Sequence, residues 1–126
     1  MADIREHAIS LLASVSGVDM QTVAKEPLYT IPVGKKCIIT HVIIRDPTDS
    51  LLGGTEYDLG DGDNCDTWVQ NTNLAAMTST AHYFVVHAAA VYIIFDAGDV
   101  FGIKPIVGST AAADATIDVF GYLYDA

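Results

Sequence analysis

Basic residues are scarce in this chain. Lysine and arginine together number six of 126 residues, against sixteen aspartates and glutamates, for a formal net charge of −10. Phosphate contacts need clustered basic side chains, so this composition argues against a free-standing nucleic-acid binder. Charged residues of both signs make up only 17%, while apolar residues make up 51%. That balance excludes a disordered or low-complexity chain, which would be polar and charge-rich. Long hydrophobic runs are missing too. The longest, Tyr83–Phe95, is interrupted by His87 and falls short of the roughly 18–20 residues a membrane helix needs. No basic stretch precedes a continuous apolar run at the N-terminus, so no secretory signal is expected.

Cysteine is limited to Cys37 and Cys65, with no CxxC spacing. The favoured reading is a reduced cytosolic thiol pair, with a disulfide formed after release from a cell as the alternative. No HxH or HExxH spacing is present among His7, His41, His82 and His87. His82 and His87 are five apart, and on a strand they would face opposite sides. A GxSxG motif, a cysteine beside a plausible histidine and a Gly-rich phosphate loop are likewise missing. The sequence offers no catalytic site and calls for no cofactor.

What is there is unevenly placed. Residues 1–45 hold five basic and four acidic residues; residues 46–126 hold Lys104 against twelve acids. The densest acidic run, Asp58-Leu59-Gly60-Asp61-Gly62-Asp63-Asn64-Cys65-Asp66, invites comparison with a calcium loop. Neither register from Asp58 or Asp61 fits an EF-hand, and no Glu follows at the twelfth place. Asp58, Asp61, Asp63 and Asp66 are therefore weak metal candidates, and a solvated strand connection is the favoured reading. Trp68 and the tyrosines could stack on sugar rings, but packing in a core or interface is their commoner use.

The first sixteen residues differ from the rest. Ile4, Ala8, Leu11, Leu12 and Val15 recur at spacings of three and four, which predicts a short helix or arm over Met1–Ser16. Such a segment is marginal alone and should dock on something. From residue 17 to 126 the pattern becomes strands and turns. Strand candidates are Leu28–Ile31, Cys37–Arg45, Thr55–Leu59, Thr67–Thr72, Ala81–His87, Val91–Phe95, Val100–Lys104 and Thr116–Tyr124. About eight strands with turns every 8–12 residues and no βαβ alternation predict an all-β, antiparallel, jelly-roll-like sandwich.

Two strands bear on assembly. In Thr116–Tyr124, Ile117, Val119, Gly121 and Leu123 alternate with Asp118, Phe120, Tyr122 and Tyr124. The second set would leave three aromatics on an outer face. In Cys37–Arg45, strict alternation puts Cys37, Ile39 and Ile43 on one face and Ile38, Val42 and Ile44 on the other, so both faces are apolar. A neighbouring subunit is the favoured cover, with Ile39, Ile43, Phe120, Tyr122 and Tyr124 as the expected oligomer interface.

The segment GVDMQTVAKEPLYTIPVG, the following KKCIITHVIIRDPTDS, the later IIFDAGDVFGIKP and the ending ATIDVFGYLYDA form a set of turn and strand signatures. Over roughly residues 17–124 this set resembles small β-sandwich virion proteins of tailed bacteriophages, most of all capsid decoration (cement) proteins. The resemblance implies a homotrimer, made in the host cytoplasm, that sits on the outer surface of the head and braces the major capsid protein. Met1–Ser16 lies outside the resemblance. Its amphipathic spacing makes Ile4, Leu11, Leu12 and Val15 the expected capsid anchor. An alternative is a tail or baseplate module that binds a host glycan or another tail subunit, which an exposed Trp68 or Tyr57 would favour. A small hydrolase would be favoured by carboxylates or histidines converging in a pocket.

Overall fold

A computed structural model describes residues 8–88, 91 and 93–126. Nine strands form two antiparallel sheets: β1 (Ser10–Asp19), β2 (Glu26–Thr30), β3 (Lys35–Arg45), β4 (Glu56–Gly60), β5 (Val69–Thr72), β6 (Tyr83–His87), β7 (Phe95–Asp96), β8 (Val100–Val107) and β9 (Asp114–Asp125). One sheet runs β1-β9-β3-β6, with β7 also pairing β3; the other runs β2-β8-β4-β5. The all-β sandwich expected from the turn spacing is what the chain forms. Among the described residues there is no helix, and so none long and apolar enough to cross a membrane.

The core lies between the sheets. Phe101 of β8 meets Trp68 and Phe95 edge to face, with ring centroids 5.4 and 5.6 Å apart. Ile39, Ile44, Tyr57, Leu59, Ile103 and Ile117 fill the space around them, fully buried. Tyr57 satisfies its hydroxyl by donating to the Met20 carbonyl at 2.7 Å. Burial pushes its pKa up to about 12. The β2–β3 connection is the turn expected at Pro32-Val33-Gly34. Lys35 N–H donates to the Pro32 carbonyl at 3.2 Å, and Gly34 takes the left-handed conformation, φ 79°, that a side chain disfavours.

Three expectations are corrected. Ser10–Ser16 is strand, not helix: it pairs with β9 from Ser10↔Gly121 to Asp19↔Asp114 and interrupts the ladder with register shifts at Leu11/Ala13 and Val15/Val18. Met1–His7 lies outside the described residues. In β3 a register shift between Ile39 and His41 reverses the alternation part-way along. Cys37, Ile39, Val42 and Ile44 thus all face the core, while Ile38, His41 and Ile43 face outward. The strand has one fully apolar face, not two. Val91–Phe95 was expected to be a strand, yet the ladder holds only Phe95–Asp96. Phe95 and Asp96 pair with Cys37 and Lys36 of β3. Tyr92, within the expected strand, lies outside the described residues. Val91, Ile93 and Ile94 lie off the sheet with exposed side chains.

Candidate interaction face

The outer face of the β1-β9-β3-β6 sheet collects the outward residues of three long strands. Phe120, Tyr122 and Tyr124 of β9 stand beside His41, Ile38 and Lys36 of β3 in register. His41 lies flat on Phe120, with centroids 4.6 Å apart and planes 4° apart. His87 of β6, directly across from His41, has its ring 6.2 Å away. Tyr122 and Tyr124 also lie 6.2 Å apart. Each ring covers part of its neighbour, and Phe120, Tyr122 and Tyr124 are half-buried.

A charged network sits beside the rings. Arg45 of β3 donates from Nε to Asp118 Oδ2 at 2.8 Å, and Ser14 of β1 donates to Asp118 Oδ1 at 2.6 Å. Burial alone would raise the Asp118 pKa. The hydrogen bonds from Arg45 and Ser14 outweigh it and hold the carboxyl below its usual value. Arg45 also pairs with Asp46, Lys36 with Asp96 and Lys35 with Asp125. For His41, burial and then the neighbouring His87 press the pKa below the usual histidine value. Sequence reading missed the Arg45–Asp118–Ser14 network. Its one visible signal is an aspartate at an outward position otherwise filled by aromatics.

The expected interface residues divide. Ile43, Phe120, Tyr122 and Tyr124 lie on this outer face. Ile39 does not: at 1% exposure it points into the core, because the register shift turns it inward. Of the expected anchor residues, Leu12 and Val15 pack against the core, Leu11 is 53% exposed opposite Phe120, and Ile4 lies outside the described residues.

Elsewhere the chemistry is structural. Asp58 accepts the Asn71 N–H at 2.9 Å and Asp61 accepts the Thr67 hydroxyl, while Lys25 ties the loop by donating to the Gly62 carbonyl at 2.8 Å. Asp63 and Asp66 are exposed. Among the described residues no three His, Cys, Asp or Glu side chains converge on a point where a metal could sit. His82 accepts the N–H groups of Thr78 and Ser79 and closes a turn. Cys37 and Cys65 are free and buried, and burial pushes the Cys37 thiol up to about 11. A small polar cleft of ≈ 190 Å³ is lined by Asp19, Gln21, Thr48 and Asp114. There Asp19 is already engaged by the N–H groups of Gln21 and Thr22.

No protein-family model and no curated protein sequence matches the chain. A solved structure does. The fold is similar to a chain of the "Cyanophage Pam1 capsid asymmetric unit", with a TM-score of 0.57 at 16% identity, covering 91% of this chain and 83% of that one.

Proposed function

We propose that the protein is a structural component of a bacteriophage virion. In this reading it is a decoration or cement protein that sits as a homotrimer on the outer surface of the head and braces the major capsid protein. The likeness to the cyanophage capsid chain over 91% of this chain carries the reading. The strand orders support a jelly roll: β1-β9-β3-β6 faces β2-β8-β4-β5, with β1 to β4 alternating between the sheets. The glycan-binding alternative would be favoured by an exposed Trp68 or Tyr57. Trp68 is 7% exposed and Tyr57 0%, so neither offers a ring to a sugar.

The mechanism is adhesion. A stable contact of about 1,200–2,000 Å² between this protein and neighbouring shell subunits opposes their separation. A protein that binds only the assembled lattice stabilises it by mass action. Anchoring falls to the N-terminal segment. Ile9 and Leu11 are the exposed apolar side chains there among the described residues, while Leu12 and Val15 hold β1 to the sandwich.

Heads of the phage that encodes this chain, prepared without it, supply the test. Purified protein added to them should co-sediment to saturation and raise the temperature at which DNA is released. Protein recovered with isolated tails and not with heads would overturn the head assignment in favour of the tail module.

A further inference from the structure

The β3–β6 pairing brings together two histidines that lie far apart in the sequence. His41 and His87 stand directly opposite in the ladder, both on the outer face of the sheet. The neighbouring pair is hydrogen-bonded, with Ala88 N–H donating to the Thr40 carbonyl at 3.4 Å. In an antiparallel ladder the two kinds of pair alternate, so His41 and His87 form the other kind, whose side chains approach more closely. Their ring centroids are 6.2 Å apart and their planes 35° apart.

The register shift between Ile39 and His41 sets the protonation of one ring. It leaves Thr40 without a paired residue in β9. The Thr40 hydroxyl contacts both the Phe120 carbonyl, at 3.2 Å, and His41 Nδ1, at 3.0 Å. A carbonyl can only accept, so the single hydroxyl proton is donated to Phe120. Towards Nδ1 the same oxygen then accepts, and Nδ1 carries the ring proton. In the neutral imidazole this assignment leaves Nε2 with a free lone pair. An oxygen accepting the second ring N–H is what orients a metal-bound histidine and strengthens its ligating nitrogen. The stacked Phe120 ring, 4° from parallel, holds the imidazole plane as well.

We propose that His41 Nε2 and a ring nitrogen of His87 bind one divalent transition-metal ion of the zinc class between β3 and β6. Imidazole suits zinc, nickel and copper, whereas calcium and magnesium take oxygen donors. The spacing fits. With a Zn–N bond of about 2.0–2.1 Å and about 1.1 Å from nitrogen to ring centre, two rings sharing one ion stand at most about 6.4 Å apart. The observed 6.2 Å lies within that span, and rotation of the exposed His87 side chain can close it towards a tetrahedral angle. No third His, Cys, Asp or Glu converges there among the described residues, so water completes the coordination. The net charge of −10 also favours the approach of a cation. The site does not rest on the virion reading, and its test needs no phage head.

Isothermal titration calorimetry of the whole chain with zinc alone should give one ion per chain. Thr40→Val, which removes the accepting oxygen without touching the metal, should weaken binding by about 10–100-fold. His41→Gln and His87→Gln should each weaken it at least as much. His82→Gln should bind as wild type, because His82 closes a separate turn. Far-UV circular dichroism checks that each variant is folded, and exposed His87 can be replaced without disturbing the core. Nitrogen NMR of the imidazole rings adds a readout that a purely structural role would not move. Before zinc is added, His41 should carry its proton on Nδ1. On titration, Nε2 of His41 and a ring nitrogen of His87 should shift together. No zinc uptake, binding unchanged in any of the Thr40, His41 or His87 variants, or a proton on Nε2 of His41 in place of Nδ1 would each overturn the proposal.

Discussion

The indole N–H of Trp68 crosses the sandwich to the Ile39 carbonyl, 3.2 Å away. Trp68 precedes β5 in one sheet; Ile39 sits in the other, where the β3–β9 register shifts. The bond ties the two layers at the point where regular pairing is interrupted. A Trp68→Phe variant removes the donor from a buried carbonyl and leaves a void beside Phe101. It should lower unfolding free energy by at least about 2 kcal/mol. Urea denaturation checks this, and an unchanged midpoint would show that the bond contributes nothing.

Gly121 lies in β9 opposite that same shift. A Cβ built there would stand 2.1 Å from the Ile38 carbonyl oxygen, a backbone atom with little freedom to move. Gly121→Ala should therefore destabilise by about 3 kcal/mol or more, at or above the upper end for overpacking. Thermal unfolding reads the effect, and a melting temperature within a degree of wild type would contradict the close approach.

Most of the sandwich was legible in the sequence because its strands are bounded by strong turn signals, such as Pro32-Val33-Gly34 and Ala97-Gly98-Asp99. The alternation of β9 could be read directly, since Ile117, Val119 and Gly121 are buried as expected. What the sequence hid was the bulges. In β1, two register shifts turn a period of two into spacings of two and three among Ala13, Val15 and Val18. Together with Leu11 and Leu12, that pattern imitates a helix. In β3, one shift moves Val42 and Ile44 onto the face of Ile39 and makes Ile43 outward. Alternation alone cannot show where an extra residue is inserted, because the cause lies in the partner strand. The outer face of that sheet was half legible for the same reason: β9 showed its outward aromatics directly, while alternation in β3 put Ile39 on the wrong side.

Asp118 makes acid stability a test of the charged network. Its folded pKa is held below the ordinary value near 3.8. Stability from its ionised form is thus fully present above that value and is lost as pH falls through the folded pKa. Replacing Arg45 with Met removes the main opposing influence and leaves a buried carboxylate without its cation. The acid-unfolding midpoint should move to higher pH, as followed by tryptophan fluorescence. An unmoved midpoint would mean that the Arg45 pair is too screened to matter.

His41 acts in the opposite range. Its pKa is depressed in the folded state, so the unfolded chain binds the proton more readily. Stability is complete above the ordinary histidine value of about 6.5 and falls as pH drops below it. The proton would enter beside Phe120 and His87, with Asp118 and Arg45, already paired to each other, further along the face. Urea midpoints at about pH 7 and pH 5 should differ in the wild type, and the difference should shrink in His41→Gln. An equal slope in both would assign the pH dependence to another group.

The N-terminal boundary gives the last prediction. β1 begins at Ser10, and its Ala13, Val15 and Val18 cover the core while it pairs along β9. Deleting residues 1–8 spares this strand and should leave the melting temperature within about 2 °C of wild type. Deleting residues 1–16 removes most of β1, exposes the β9 edge and uncovers apolar core, so it should destabilise by several kcal/mol or abolish folding. Under the anchoring proposal the double variant Ile9→Asp, Leu11→Asp, whose exposed side chains leave the core untouched, should stay folded and lose occupancy on purified heads. Full occupancy with that variant would place the anchor elsewhere on the sandwich.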